Sequence, residues 1–200
     1  MIDSVKILLF FTAGAVLGYF DKIPEFLMNE SVSNTLLYII IFLVGLGIGA
    51  NKEISVFLKK FDFRIILTPL SIVIGSAIGG ALGSLFITEV SVREGIAVAF
   101  GFGYYSLSSV LIADIRGETL GATALVANIA RETLTLIFAP VFVKIFGKIS
   151  PIASGGATTM DTTLPVIKKY AGSGYTVIAF INGMILTALV PILVPLVLGG

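Results

Sequence analysis

The chain has 200 residues, 56 % of them hydrophobic and only 12 % charged, with a net charge of +1, no cysteine and no histidine. Soluble domains carry roughly 25 % charged residues, so the shortfall points to a polytopic membrane protein of the all-α class with the bilayer as its solvent. The missing side chains exclude thiolate nucleophiles, disulfides, histidine metal sites and Ser–His–Asp triads, and the lack of a basic cluster gives no case for nucleic acid.

About seven hydrophobic segments are predicted, at 5–20, 35–50, 65–87, 94–115, 120–146, 151–170 and 175–198, as one transmembrane domain over 1–200. The first lacks a clear cleavage site before Asp21 and reads as a retained span rather than a signal peptide. Its Gly14 and Gly18 allow close helix approach. The second ends in G-L-G-I-G-A, whose Gly45, Gly47 and Gly49 lie too close together for one helix stripe. Without a βαβ context such a run is no nucleotide site. The loop at 51–64 holds Lys52, Lys59, Lys60 and Arg64 and is the most basic connection, which places it in the cytoplasm. The amino terminus is then inside and the acidic loop at 21–34 outside. In the third segment Gly75, Gly79 and Gly83 repeat as G-x-x-x-G on one face, a pattern for tight packing.

The fourth segment is interrupted by A-F-G-F-G-Y-Y-S-L-S-S, covering Ala99 to Ser109. Gly101 and Gly103 predict a broken or re-entrant helix, with Tyr105 and Ser106 beside the break. The fifth carries N-I-A-R-E, which sets Arg131 and Glu132 near mid-span. A charge there costs from about 2.5 to more than 10 kcal/mol. Glu132 is therefore a candidate transport group, and Asn128, one turn away on the same face, is placed to orient its carboxylate. The structural alternative is a buried ion pair with Arg131 or Arg116. Adjacent residues on one helix do not face each other, which disfavours Arg131.

The sixth segment contains S-G-G-A-T-T-M-D-T-T-L-P, from Ser154 to Pro165. Gly155 and Gly156 loosen the helix, and Pro165 disfavours helical geometry at Leu164. Unpaired backbone is tolerated at membrane depth only inside protein or beside a watery cavity. Asp161 is the second candidate carboxylate, with Thr162 as polar support. Its structural alternative is to cap a half-helix from Thr162 to Tyr170, aided by Thr163. The four threonines offer hydroxyls, although such residues commonly satisfy local carbonyls. Lys168 and Lys169 favour a cytoplasmic end. The last segment holds Asn182, Gly183, Pro191 and Pro195, and seven crossings, or five plus two re-entrant loops, leave the carboxyl terminus outside.

Two interrupted segments suggest a discontinuous-helix transporter, in which freed helix ends face the solute near the midplane. Paired carboxylates in such a cavity exchange a proton or bind a cation. An enzyme is not expected, since no lysine lies in a span near Ser106 and no paired-aspartate protease motif is present. No cofactor or metal site is expected either.

The stretches Gly101–Ser109, Asn128–Glu132 and Gly155–Pro165, with the closing P-I-L-V-P at Pro191–Pro195, resemble the motifs of the lysine exporter family of the LysO type, in the family's order. The resemblance runs from about Tyr38 to the end and covers the carboxyl-terminal two thirds of full-length members, which carry further spans ahead of it. It implies export of L-lysine, and of analogues such as thialysine, across the cell membrane. It further implies that the acids matching Glu132 and Asp161 are needed for transport, through exchange of protons (or Na+). The wider superfamily is similar to cation–proton antiporters and bile-acid symporters, with inverted repeats and crossed broken helices. A separate small membrane subunit, or a homo-oligomer, is the expected way to supply the missing spans. The competing readings are an uncoupled channel, a scaffold subunit, or a transporter of another small cation or organic acid.

Overall fold

The computed structural model describes residues 64–199 and only scattered positions ahead of them. The chain divides into two compact units, Met1–Leu43 and Val44–Gly200. In the first, positions such as Ala13, Val16, Leu17, Thr35, Ile39 and Phe42 are helical. The expectations for Gly14 and Gly18, for Gly45 to Gly49 and for the basic loop at 51–64 fall outside the described residues.

The second unit is built from helices, with no strand among the described residues. In chain order they are α1 (Arg64–Ser84), α2 (Val92–Ala99), α3 (Tyr105–Arg116), α4 (Glu118–Phe146), α5 (Ser150–Gly155), a 3-10 turn (Gly156–Met160), α6 (Leu164–Ala171), a short 3-10 turn (Ser173–Tyr175) and α7 (Thr176–Leu198). Two described helical stretches are long and apolar enough to cross a membrane, Ile66–Ser84 with 19 residues and Ser173–Leu198 with 26. At 1.5 Å per residue each spans close to a hydrocarbon core of about 30 Å or more. On α1 the residues Ile66, Leu70, Ile74, Ile78 and Leu82 are all exposed. Repeated every four positions, they make one apolar stripe. Water would penalise such a face, whereas lipid solvates it.

Local chemistry sets the helix ends. Ser91 and Glu94 form a reciprocal capping box at the start of α2, with Ser91 N–H donating to Glu94 Oε2 at 2.8 Å and Glu94 N–H donating to Ser91 Oγ at 3.3 Å. Gly117, at φ 93°, turns α3 directly into α4. The two then pack as a hairpin so close that a Cβ on Gly121 would sit 2.6 Å from Ala113 Cβ. Arg116, at the end of α3, donates to the Leu198 carbonyl at 2.8 Å, which ties that end to the last turn of α7.

Among the described residues α2 meets α1 at Gly80, and not on the expected G-x-x-x-G face. Among the described residues nothing lies within 4 Å of a Cβ built at Gly75, Gly79 or Gly83, while one at Gly80 would be 2.5 Å from the Gly95 carbonyl oxygen. Each residue turns a helix by 100°, so a neighbour arriving over Gly80 leaves the 75–79–83 face uncovered by α2. Gly80→Ala is therefore expected to force α1 and α2 apart, at a cost of about 1–3 kcal/mol. Gly79→Ala meets no such obstacle and gains about 1 kcal/mol of helix propensity. Thermal unfolding in detergent checks the contrast: the first variant should melt lower than the parent and the second should not.

Candidate functional site

Both predicted interruptions are present, and they meet. The first lies between α2 and α3 at Phe100–Tyr104, the second between α5 and α6 at Gly156–Thr163. The Ala157 N–H donates to the Phe102 carbonyl at 2.8 Å, joining one break to the other through the main chain. Close approach dictates the residue types. Gly156 has φ 62°, and a Cβ there would run into the Phe102 carbonyl oxygen. Gly103 has φ 91°, with the Gly155 carbonyl oxygen 3.2 Å from its Cβ position. Between the glycines Phe102 also adopts a positive φ, 49°, with its ring fully buried. Such a backbone costs about 1–3 kcal/mol and persists only where its surroundings impose it.

The 29-residue α4 runs past both breaks and holds each of them. Asn128, 2 % exposed, accepts from Gly103 N–H at 2.7 Å and donates to the Val98 carbonyl at 3.0 Å and its own-helix Ala124 carbonyl at 2.9 Å. It thus satisfies a carbonyl at the end of α2 and an amide just before α3, groups that the break took out of the helical ladder. This corrects the expected role of Asn128. Its amide bonds go to the first break rather than to Glu132. Leucine at this position would leave Gly103 N–H unmatched and strip the Val98 carbonyl of one of its donors, the other being Gly101 N–H at 3.2 Å. Asn128→Leu is therefore expected to destabilise the fold by about 1–3 kcal/mol. Aspartate, which cannot donate, should retain only part of the loss-free behaviour, and denaturant titration of both variants checks the order.

One turn further on, Arg131 and Thr135 serve the second break. Arg131 donates from Nε to the Ser154 carbonyl at 2.8 Å and from a terminal nitrogen to the Ala153 carbonyl at 3.1 Å. These are carbonyls at the carboxyl end of α5, where a cation is favoured by the helix dipole. Its other terminal nitrogen donates to Ser76 Oγ on α1 at 3.2 Å. Thr135 donates to the Arg131 carbonyl at 2.9 Å and shares a 2.6 Å hydrogen bond with Ser154 Oγ. Glu132 lies between these clasps, 3 % exposed.

Inside the second break the threonines serve the backbone. Thr158 donates to the Gly155 carbonyl at 2.9 Å, and Thr159 Oγ1 lies 2.7 Å from the Gly156 carbonyl and 2.6 Å from that of Ala179. Asn182 on α7, 1 % exposed, donates to the Gly156 carbonyl at 3.1 Å. Gly183 beside it admits the 3-10 turn, for a Cβ there would be 2.6 Å from Met160 N. Pro165 stands in the first turn of α6, where its missing N–H has no intrahelical acceptor, and Leu164 is already helical. The proline therefore starts the second half-helix rather than keeping Leu164 out of it.

Asp161 does not cap that half-helix. Thr163 holds the N-cap position without a side-chain capping bond, its hydroxyl lying 3.2 Å from Thr158 Oγ1. The Asp161 carboxylate accepts from Thr162 N–H at 2.5 Å and Thr162 Oγ1 at 3.3 Å. Asp161 is exposed, in contrast to Glu132. Tyr104, from the first break, lies in the field of the Asp161 carboxylate and bonds to the Ser106 side chain. Tyr104, a residue that sequence reasoning did not single out, is thus within electrostatic reach of Asp161 and beside Ser106. Tyr105 is directed into the core, 7 % exposed. The contacts of Asp161 do not include Glu132. Arg131, Thr135 and Asn182 also went unnoticed as site residues. A cation at mid-helix was the one available signal, but its partners lie more than twenty positions further along the chain.

The lysine exporter LysO family profile matches residues 8–198. The chain belongs to this family. Lysine exporter LysO of Escherichia coli strain K12 is 32 % identical over 160 residues, which are 79 % of this chain and 52 % of that protein. A Haemophilus influenzae Rd protein described as "Putative lysine exporter" is 33 % identical over 181 residues, 90 % of each chain. The chain therefore spans about half the length of its Escherichia coli relative and nearly all of the Haemophilus one. No solved structure matches. In this LysO-family chain, one helix bearing N-I-A-R-E clasps both interruptions.

Proposed function

We propose that the chain is a secondary exporter of L-lysine, and of analogues such as thialysine, working by proton-coupled antiport across the cell membrane. Glu132 carries this reading: a carboxylate 3 % exposed, on the helix that grips both breaks. The names of its relatives supply the cargo. In a bilayer such a group is costly and is retained where protons or cargo pass. Glu132 exchanges the proton, with Na+ as the alternative coupling ion. Asp161, with Ser106, Thr162 and Tyr104 as polar support, meets the ammonium of the substrate, and Asn128 keeps the first break in shape. The chain acts as one domain of seven crossings, two of them interrupted, in an architecture similar to cation–proton antiporters, with its amino terminus in the cytoplasm and its carboxyl terminus outside. A small membrane subunit, or further copies of this chain, completes the transporter.

The test is efflux of labelled L-lysine from cells expressing the chain, with and without such a subunit. Flux should rise with external acid and stall when a protonophore removes the gradient. Equal flux in both states would make the chain an uncoupled channel and sink the antiport reading.

A further inference from the structure

The guanidinium of Arg131 has five N–H groups, and its three described bonds, to the Ser154 and Ala153 carbonyls and to Ser76 Oγ, all run to neutral oxygens. Two N–H groups therefore lie outside these bonds, and no anionic oxygen takes part in them. The same side chain lines a cavity of about 300 Å³ between α1, α2 and α4, walled by Gly79, Gly80, Gly83, Ser84 and Asn128. That volume stands at the lower end of the range for small-molecule sites. The walls offer little competing chemistry. Three of these residues are glycines, and the Asn128 amide is already bonded through both its nitrogen and its oxygen. Among the described lining residues Arg131 is the cationic one, and the end of α5 holds it in place.

We propose that this cavity is a carboxylate subsite, in which Arg131 receives the α-carboxylate of an amino-acid substrate. This rests on the exporter reading above and adds which end of the cargo goes where. A guanidinium presents paired N–H groups in a geometry that matches a carboxylate, and a charge-assisted pair is stronger than a neutral hydrogen bond. Glu132 follows Arg131 directly and so projects about 100° away around the helix. Glu132 thus keeps the proton role that the exporter reading gives it, while Arg131 takes the acid end of a zwitterion whose ammonium goes to Asp161. Gly79 and Gly83, whose Cβ positions meet nothing within 4 Å among the described residues, leave room in the cavity that larger side chains would fill.

The decisive comparison uses L-lysinamide and 1,5-diaminopentane, which keep ammonium groups but lack the carboxylate. In membrane vesicles holding the full chain, each is set against unlabelled L-lysine as a competitor for labelled L-lysine counterflow. The wild type should prefer L-lysine by at least about 30-fold, since a site built for a polar group rejects analogues without it. Arg131→Gln should bring that preference to within about threefold of unity, mainly by weakening L-lysine. A purely structural Arg131 would weaken all competitors together and leave the ratio unchanged, which overturns the subsite. Should Arg131→Gln fail to accumulate, Gly83→Leu fills the cavity without touching the guanidinium bonds. It should lower L-lysine competition about tenfold or more, and no change there counts against the proposal. Wild-type chain that moves L-lysine but accepts L-lysinamide equally well refutes the subsite alone. Wild-type chain that moves no L-lysine refutes the exporter reading instead.

Discussion

Glu132→Gln is expected to abolish gradient-driven lysine efflux, with a loss of about 100-fold or more, while the protein still accumulates in the membrane. Glutamine keeps the shape of the side chain and removes its proton and its charge. Burying a neutral amide is cheaper than burying an ionised carboxylate, so the fold should tolerate the change if the acid serves transport. Glu132 is 3 % exposed on α4, the helix that satisfies broken backbone on both sides of it. A lesion there can therefore be judged against an intact scaffold. Efflux of labelled lysine, normalised to protein in the membrane fraction, decides the matter. Undiminished efflux would return Glu132 to a structural role.

Gly156→Ala should be the most damaging added methyl group among the described glycines. Gly156 combines φ 62° with ψ −121°, a backbone region that L side chains rarely enter at a cost of about 1–3 kcal/mol. Its Cβ would also collide with the Phe102 carbonyl oxygen, the acceptor of the bond that joins the breaks. Losing that bond adds about 1 kcal/mol, and displacing packed backbone adds more, so about 3 kcal/mol or more is expected in all. Gly172 provides the control. It has φ 101°, yet nothing lies within 4 Å of its Cβ position, so alanine there should cost the backbone strain alone. Unfolding midpoints of the two variants in detergent separate collision from strain, and lysine efflux should fall with the first far more than with the second.

The interruptions were legible in the sequence because glycines there fall together with polar side chains inside apolar runs. Glycine or proline alone is no such sign, since Gly79–Gly80, Pro69, Pro140, Pro191 and Pro195 lie within unbroken helices. Gly101, Gly103, Gly155 and Gly156 all fall where the helices part. What joins the breaks was not legible. Asn128 and Glu132 share a helix face, and spacing alone made the first a servant of the second. Its actual partners at Val98 and Gly103 lie 30 and 25 positions away. Helical periodicity names faces and not the neighbours that cover them. For that reason the 75–79–83 repeat was chosen over Gly80, which α2 meets. A cap was the structural alternative for Asp161, because acids commonly fill that position, but the turn preceding α6 leaves Thr163 there and sends the carboxylate to Thr162. Arg131 was recognised as costly, yet the ends of α5 that make it bearable come together only through the fold. The expected segments at 5–20 and 35–50 lie outside the described residues, apart from scattered helical positions.

The contact between Ala157 and Phe102 uses an amide and a carbonyl that nearly every amino acid possesses. As long as Gly156 is kept, substitution can rewrite the surrounding side chains, and with them the preference for one cargo over another, without erasing this suture. Proline at 157 is the exception, because it alone carries no amide hydrogen. Descendants of such a chain are thus free to diverge in chemistry while inheriting the same crossing.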